Sequence, residues 1–462
     1  MVALPGGRGS VSVYNRGVIS RARVNALVHH FLPDSLSPGQ SAFPALSRIN
    51  LAEPEKSKAE LFEALSERFE PLVAKAFTVK ILNLFRARHQ MRTRASSVLS
   101  RPFGLVIDPS NVCELACPGC VHSERNEAFK IFDWPNGTLS EARFAELLKL
   151  YGPYAVGAYF CNYGEPLLNL RTPHLIRTAK TYLMGTALST SLSVRKLDAE
   201  AYVESGLDFM VMSIDGATQP VYQQFRRNGD LELVFGNIRK LVDAKRKLRR
   251  KTPVLSWNFL AFEHNVHELA LAERMARKLG VNQFRIVNPF DVGWDDPAIR
   301  PAADVKGEVR RLDSLSFASD ADNWNPFPES LDAESITRAF EQPWAACDES
   351  PGSGHTCHWL YKNMVMDATG RIMPCCGGPR PDTNLVFGRF DGNADVFNSP
   401  LYRQARAHFA GTVGASGNQP HCTQCEWDHT TVNIGSEEIR RYFRAADPAF
   451  FDRASLRLLS DW

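Results

Sequence analysis

The chain has 462 residues, 44% of them hydrophobic, with 54 basic against 51 acidic side chains and a formal charge of +3. That is enough apolar mass for a full core and about three domains, and so even a charge balance excludes a polycation built for nucleic acid. The opening residues from Met1 to Arg8 lack a continuous apolar signal core, and no uncharged apolar run reaches the roughly 18 residues that span a membrane, so a cytoplasmic protein is expected.

Residues 1–98 read as a helical N-terminal extension. A Pro/Gly/Ser-rich opening leads into a charged helical stretch from Ser57 to Glu70. The segment from Pro71 to Ile107 then contains no acidic residue and sets Lys75, Lys80, Arg86, Arg88, Arg92, Arg94 and Arg101 among Phe77, Val79, Ile81, Leu82, Leu84 and Phe85. Two readings fit residues 75–101. One is an amphipathic basic helix in peripheral contact with an anionic membrane face, a partner or a polyanionic substrate; the other is a helix packed across the next domain with its basic face in water.

Residues 99–290 alternate short apolar runs with helical patterns, the signature of βα units and a parallel sheet. Six strands are predicted: Phe103–Asp108, Gly157–Cys161, Gly185–Thr190, Asp208–Ile214, Val254–Leu260 and Gln283–Asn288. Phe144, Leu147, Leu148 and Tyr151 recur at helical spacing behind a Thr138/Glu141 capping box, and a helix over residues 265–279 ends at Gly280. The basic run from Lys245 to Lys251 reads as a solvated helix end favoured by the dipole. Residues 291–345 form a Pro/Asp-rich connector, 346–436 a small cysteine-rich domain and 437–462 a tail.

Seven of the ten cysteines fall in metal-ligand spacings, which points to a reducing compartment. Cys113, Cys117 and Cys120 follow the first strand as C-x3-C-x2-C. Three thiolates leave one iron of a four-iron cluster open to a chelating ligand, whereas a closed zinc site needs a fourth ligand, for which only His122 is near. Cys357, Cys375, Cys422 and Cys425 supply four thiolates and would close a cluster completely; zinc competes for this set, and Cys376 is the substitute if Cys375 is not the ligand. Cys161 is either a buried small side chain or a hydrogen-atom donor facing the cavity.

The cysteine loop after a first strand resembles that of the radical S-adenosylmethionine (SAM) superfamily. The resemblance covers residues 99 to about 436 and implies a partial (β/α)6 TIM-like barrel of the α/β class, ending in a small SPASM/twitch-type auxiliary cluster domain. It also implies that Asn162-Tyr-Gly-Glu-Pro166 binds the methionyl amino group through Gly164 and Glu165. Met212-Ser-Ile-Asp-Gly216 with Tyr222 and Arg226 would place Ser213 and Asp215 on ribose or substrate hydroxyls and Arg226 on the SAM carboxylate. Two positions depart from the family pattern: Ser189-Thr-Ser191 replaces Thr-Asn-Gly at strand three, and Gly119 replaces an aromatic residue before the third cysteine.

The implied cofactors are SAM and two 4Fe-4S clusters, one binding SAM and one auxiliary, fed by a flavodoxin- or ferredoxin-type donor. The implied activity is reductive cleavage of SAM and hydrogen abstraction from an unactivated carbon, most simply in a dehydrogenase or epimerase of a small polyhydroxylated, glycosyl or secondary-metabolite substrate. A peptide or protein side-chain maturase is the second reading, and a non-catalytic cluster-binding protein the third.

Overall fold

The computed structural model describes residues 49–67, 70–123, 134–289, 296–303, 305–312, 330–347, 356–377, 383–392, 395–412 and 420–425. The predicted opening segment, the end of the cysteine-rich domain and the tail 437–462 lie outside these residues. Two helices come first, α1 (Pro54–Ser66) and α2 (Pro71–Arg92), each entered through a proline whose missing N–H costs nothing in the first turn. The βα alternation follows as β1 (Gly104–Ile107), α3 (Glu141–Tyr151), β2 (Gly157–Phe160), α4 (Thr172–Lys180), β3 (Gly185–Thr190), α5 (Ala199–Glu204) and β4 (Phe209–Ser213). It continues with α6 (Gln219–Phe225), α7 (Leu231–Lys247), β5 (Val254–Leu260), α8 (Leu269–Leu279) and β6 (Gln283–Val287). All six predicted strands are present, none displaced by more than one residue at an end.

β1 to β6 pair in sequence order and in parallel, forming the wall of an open, partial barrel. Alternate residues face opposite sides. Leu105, Ile107, Phe160, Leu188, Met210, Met212, Leu255, Trp257 and Phe284 join the core under the helices. Ala187, Phe209, Val211 and Val254, with Tyr159, form a separate cluster on the inner face.

The sheet does not end with six strands. β7 (Glu308–Arg311) lies inside the predicted connector and adds antiparallel to β6, and α9 (Ala333–Glu341) follows it. After α10 (Trp359–Lys362), β8 (Asn363–Met366) adds in parallel on the far side of β1, carrying β9 (Arg371–Met373) and β10 (Gly388–Arg389) with it; α11 (Pro400–Phe409) closes the described fold. The cysteine-rich segment is therefore continuous with the barrel wall.

Three local expectations are corrected. The Thr138/Glu141 capping box does not form, because Thr138 is bridged to Ser110; Ser140 caps α3 instead, accepting the Arg143 N–H at 3.2 Å. The first helix begins at Pro54 and stops at Ser66, short of the predicted Glu70. The run from Lys245 is not wholly solvated: Lys245 is fully buried, donating to the Pro253 carbonyl at 2.6 Å and to Asn282 Oδ1 at 2.9 Å, and burial pulls its pKa down to about 7.

The helix is packed, as in the second reading of the basic segment, but its basic face is not wholly in water, since Lys80 and Arg86 are buried. Val73, Phe77, Val79, Leu82 and Met91 are buried, and Lys80 donates to the Gly152 and Ala155 carbonyls closing α3. Arg86 donates to the Ala345 carbonyl at 2.6 Å and lies 4.3 Å from the centre of the Trp344 ring. No helix among the described residues is long and apolar enough to cross a membrane.

Candidate active site

Asp108, one residue beyond β1, is fully buried, and its Oδ1 accepts the backbone N–H groups of Asn162 at 2.7 Å, Tyr163 at 3.1 Å and Gly164 at 3.2 Å. Burial pushes its pKa up to about 7 against the pull of those three donors. The turn after β2 is thereby tied to the end of β1. Gly164 cannot be replaced there, since a Cβ would stand 1.6 Å from the Ser110 carbonyl oxygen, and the Glu165 N–H donates to the Val112 carbonyl at 2.9 Å.

Cys113, Cys117 and Cys120 gather against Leu115, Phe225, Phe262 and Ile299, so the loop closes one side of the barrel mouth with an apolar shell. Gly119 takes φ +75°, a left-handed conformation that suits glycine between the second and third cysteines. Burial raises the pKa of all three thiols, Cys120 to about 12. Glu165 and Glu114 push Cys113 further in the same direction, whereas Arg226, whose Nη1 donates to Cys117 Sγ at 3.7 Å, opposes the rise at Cys117. Buried thiols of this kind ionise when metal displaces their protons, so the donor set fits an iron–sulfur cluster. His122 meets the Tyr163 carbonyl through Nε2 at 3.2 Å.

Glu165 is held by three donors: Thr190 Oγ1 at 2.6 Å and Leu167 N at 3.1 Å on Oε1, and Ser191 N at 2.7 Å on Oε2. The departure at strand three thus has a purpose, since Thr190 and Ser191 orient the carboxylate. Ser191 Oγ also donates to Glu114 Oε1 at 2.6 Å. Burial first, and the neighbouring Glu114 second, raise the Glu165 pKa. A cation beside this pair would relieve both effects, which is what the ammonium of a methionyl group supplies.

Across the mouth, Arg226 Nε donates to Asp215 Oδ2 at 2.6 Å, and Asp215 Oδ1 accepts the Leu260 N–H at 2.6 Å. Both Asp215 oxygens are engaged and the residue is fully buried, so it braces Arg226. Ser213 Oγ lies 3.4 Å from Ser189 Oγ on the neighbouring strand. The structure thus brings Gly164 and Glu165 to Cys113, and Asp215 and Arg226 to Cys117, with Ser213 on the adjoining wall. Cys161 is half-buried, with its Sγ 3.9 Å from the Gly164 carbonyl oxygen.

Asp108, Glu114 and Tyr163 are site residues that sequence reasoning missed. An acidic residue ending an apolar strand, and another directly after a ligand cysteine, were signals for the first two. Tyr163 had none, because its contact is remote: its hydroxyl donates to the Cys376 carbonyl at 2.8 Å, while its ring meets Trp134 edge-on at 5.2 Å.

In the C-terminal set, Cys357 and Cys422 are buried, and each is raised first by burial and next by Cys375. Cys425 adds to both. Cys375 Sγ receives the Gly377 N–H at 3.4 Å, while Cys376 is exposed. Among the described residues no three His, Cys, Asp or Glu side chains come close enough together to hold a single metal ion.

The family model described as "Radical SAM superfamily" matches residues 107–254. A probable GTP 3',8-cyclase of Methanococcus maripaludis is 28% identical over 182 residues, 39% of this chain and 56% of that protein. One from Methanocaldococcus jannaschii is 25% identical over 180 residues, 38% of this chain and 55% of that protein. The chain thus spans about half the length of the curated relatives it matches. Among solved structures, Streptococcus suis SuiB bound to its precursor peptide SuiA aligns at 14% identity and TM-score 0.45 over 77% of this chain and 79% of that one. Native anSMEcpe with bound AdoMet aligns at 14% identity and TM-score 0.39 over 78% of this chain and 99% of that one. The cysteine loop and the carboxylate turn both lie inside the segment 107–254 that is similar to the radical SAM superfamily.

Proposed function

We propose that this chain is a radical SAM enzyme acting on a small polar substrate, as a dehydrogenase or epimerase, with a SAM-binding 4Fe-4S cluster on Cys113, Cys117 and Cys120. The observation that carries the proposal is the pairing of opposite charges around one three-thiol loop: Glu165 with Glu114 stands beside Cys113, and Arg226 beside Cys117. A methionyl group is a zwitterion, and this arrangement offers a carboxylate to its ammonium and a guanidinium to its carboxylate. A 4Fe-4S cluster held by Cys113, Cys117 and Cys120 would supply the single electron, drawn from a flavodoxin- or ferredoxin-type donor, for reductive cleavage of SAM and hydrogen abstraction from a substrate carbon.

The chain's own residues bind and orient. Thr190 and Ser191 fix the Glu165 carboxylate, Asp215 fixes the Arg226 guanidinium, and Asp108 holds the turn that carries Glu165 against the cysteine loop. Leu115, Phe225, Phe262 and Ile299 keep water from the loop. Cys357, Cys375, Cys422 and Cys425 are the proposed ligands of an auxiliary 4Fe-4S cluster, for which four thiolates leave no open position and electron transfer is the fitting role. The relatives named for a reaction of GTP act on a small polar molecule, in keeping with this substrate class.

The test is anaerobic, cluster-reconstituted protein with dithionite and SAM. 5'-Deoxyadenosine should form slowly alone and faster with the right metabolite fraction, and not at all in the Cys113/Cys117/Cys120→Ala variant. GTP and sugar nucleotides are the first small molecules to try. Stimulation by peptide fractions alone would replace the small-molecule reading with a maturase.

A further inference from the structure

The peptide unit joining Cys376 to Gly377 is held at both of its polar atoms. Its carbonyl oxygen accepts the Tyr163 hydroxyl at 2.8 Å, and its N–H donates to Cys375 Sγ at 3.4 Å. A peptide unit is planar and rigid, so fixing its oxygen also fixes the direction of its N–H. Tyr163 thus aims the donor that reaches a proposed ligand sulfur of the C-terminal set.

Tyr163 itself belongs to the other site. It stands two residues before Glu165; its N–H donates to Asp108 Oδ1 at 3.1 Å, and its carbonyl oxygen lies 3.2 Å from Nε2 of His122, two residues past Cys120. Burial, followed by Cys376, Cys375 and Cys120, raises the pKa of its hydroxyl, so Cys375 of one set and Cys120 of the other act on the same phenol. A phenylalanine could place the same ring edge-on to Trp134; what the hydroxyl adds is the bond to the Cys376 carbonyl.

The two regions meet again beside this contact. Trp134 donates through Nε1 to the Asn111 carbonyl at 2.8 Å, and the guanidinium of Arg371, on β9, lies 5.2 Å from the centre of its ring. Asn111 Oδ1 in turn accepts the Ala368 N–H, between β8 and β9, at 2.8 Å. The start of the cysteine loop, the turn after β2 and the β8–β9 pair are therefore pinned together. A shift of that turn when a ligand meets Glu165 has a stiff route to Cys375.

We infer that Tyr163 is a positioning residue that links the SAM-binding turn to Cys375, so that SAM at the first cysteine set and metal at the second favour one another. This rests on the reading of the chain as a radical SAM enzyme with metal on both sets, and it adds communication between them. Hydrogen bonds to the sulfurs of a cluster set its reduction potential, so the Gly377 N–H is the means by which the second set responds. By linkage the effect is reciprocal: whatever factor the second metal lends to SAM affinity, SAM lends to that metal.

The test uses full-length, anaerobically reconstituted protein and reads SAM affinity by equilibrium dialysis in wild type, Tyr163→Phe, Cys375→Ser and the double variant. Each single variant should bind SAM about fivefold more weakly, the lower end of usual coupling between sites. The double variant should be no worse than the worse single one, because both cut the same link. Wild-type affinity in Tyr163→Phe, or losses that multiply in the double variant, overturns the link. A second measurement needs no SAM. In the Cys113/Cys117/Cys120→Ala background, Tyr163→Phe should shift the remaining cluster to a lower midpoint potential, since an N–H aimed at sulfur favours the reduced state. An unchanged potential overturns the role given to the peptide unit. Zinc in that set removes the auxiliary-cluster reading and leaves the dialysis cycle to decide the link. Failure of the wild type to bind SAM removes the radical SAM reading and the link with it.

Discussion

The two cysteine sets differ less in thiol number than in what surrounds them. After burial, the groups acting most strongly on Cys113 are Glu165 and Glu114, and on Cys117 they are Arg226 and its partner Asp215. For Cys422 they are Cys375, Cys357 and Cys425. The first set faces charged groups that can receive a ligand; the second faces itself. The two sets can therefore be told apart by their neighbours as well as by their thiol number, and this contrast can be broken experimentally.

The largest effect is expected from the Cys113/Cys117/Cys120→Ala triple variant, which should lose 5'-deoxyadenosine formation entirely and keep about half the iron, since each set is sized for one cubane cluster. Zinc in the remaining set, found by elemental analysis, would end the auxiliary-cluster reading. Next comes Asp215→Ala, which leaves Arg226 buried without its carboxylate; denaturant unfolding should show a loss of about 3–5 kcal/mol. A loss under about 1 kcal/mol would mean Arg226 relaxes to solvent.

Glu165→Gln should weaken SAM binding by about 1.5–3 kcal/mol, read by equilibrium dialysis. The wild-type carboxyl is raised by burial and by Glu114, and an ammonium favours its ionised form. Wild-type SAM affinity should therefore climb with pH until that carboxyl is ionised, and the variant should lack this component.

Asp108→Asn bears on stability. The folded protein holds the Asp108 proton to about pH 7, against an ordinary value of 3.8. Between those limits the folded state binds more protons than the unfolded one, so this residue makes stability fall as pH rises. Asparagine keeps an oxygen for the three N–H donors and has no proton to lose, so a flatter profile is expected from thermal melts across that window. The smallest effect is expected at the adjacent pair: Cys375→Ser should lower the iron content of the second set, and Cys376→Ser should leave it unchanged. Equal losses would reverse the choice between them.

Local pattern carried much of this fold. β3 and β5 run over the predicted residues, because uncharged runs bounded by turn residues leave little freedom of register. Gly280 ends α8 at φ +84°, as its place after a periodic run implied. What escaped was long-range. Asn363–Met366 is an asparagine and three apolar residues with no period of its own, and only its partner, β1, makes it a wall of the barrel. The site divides the same way. Cys113, Cys117 and Cys120 stand out by their spacing and Glu165 by the family resemblance, whereas Asp108 and Tyr163 engage backbone groups of distant residues, which no side-chain pattern encodes.

The pairing of β8 with β1 also bears on synthesis. Asn111 Oδ1 accepts the Ala368 N–H across 257 residues of sequence, at the point where the two strands end side by side. At usual translation rates the Gly-Leu-Val-Ile edge of β1 waits roughly ten to fifty seconds for that partner to emerge. An uncovered apolar strand edge is a template for pairing with other chains. Versions cut before residue 363 should keep that edge open permanently and precipitate, so the barrel and its cysteine-rich appendage need to be produced as one piece.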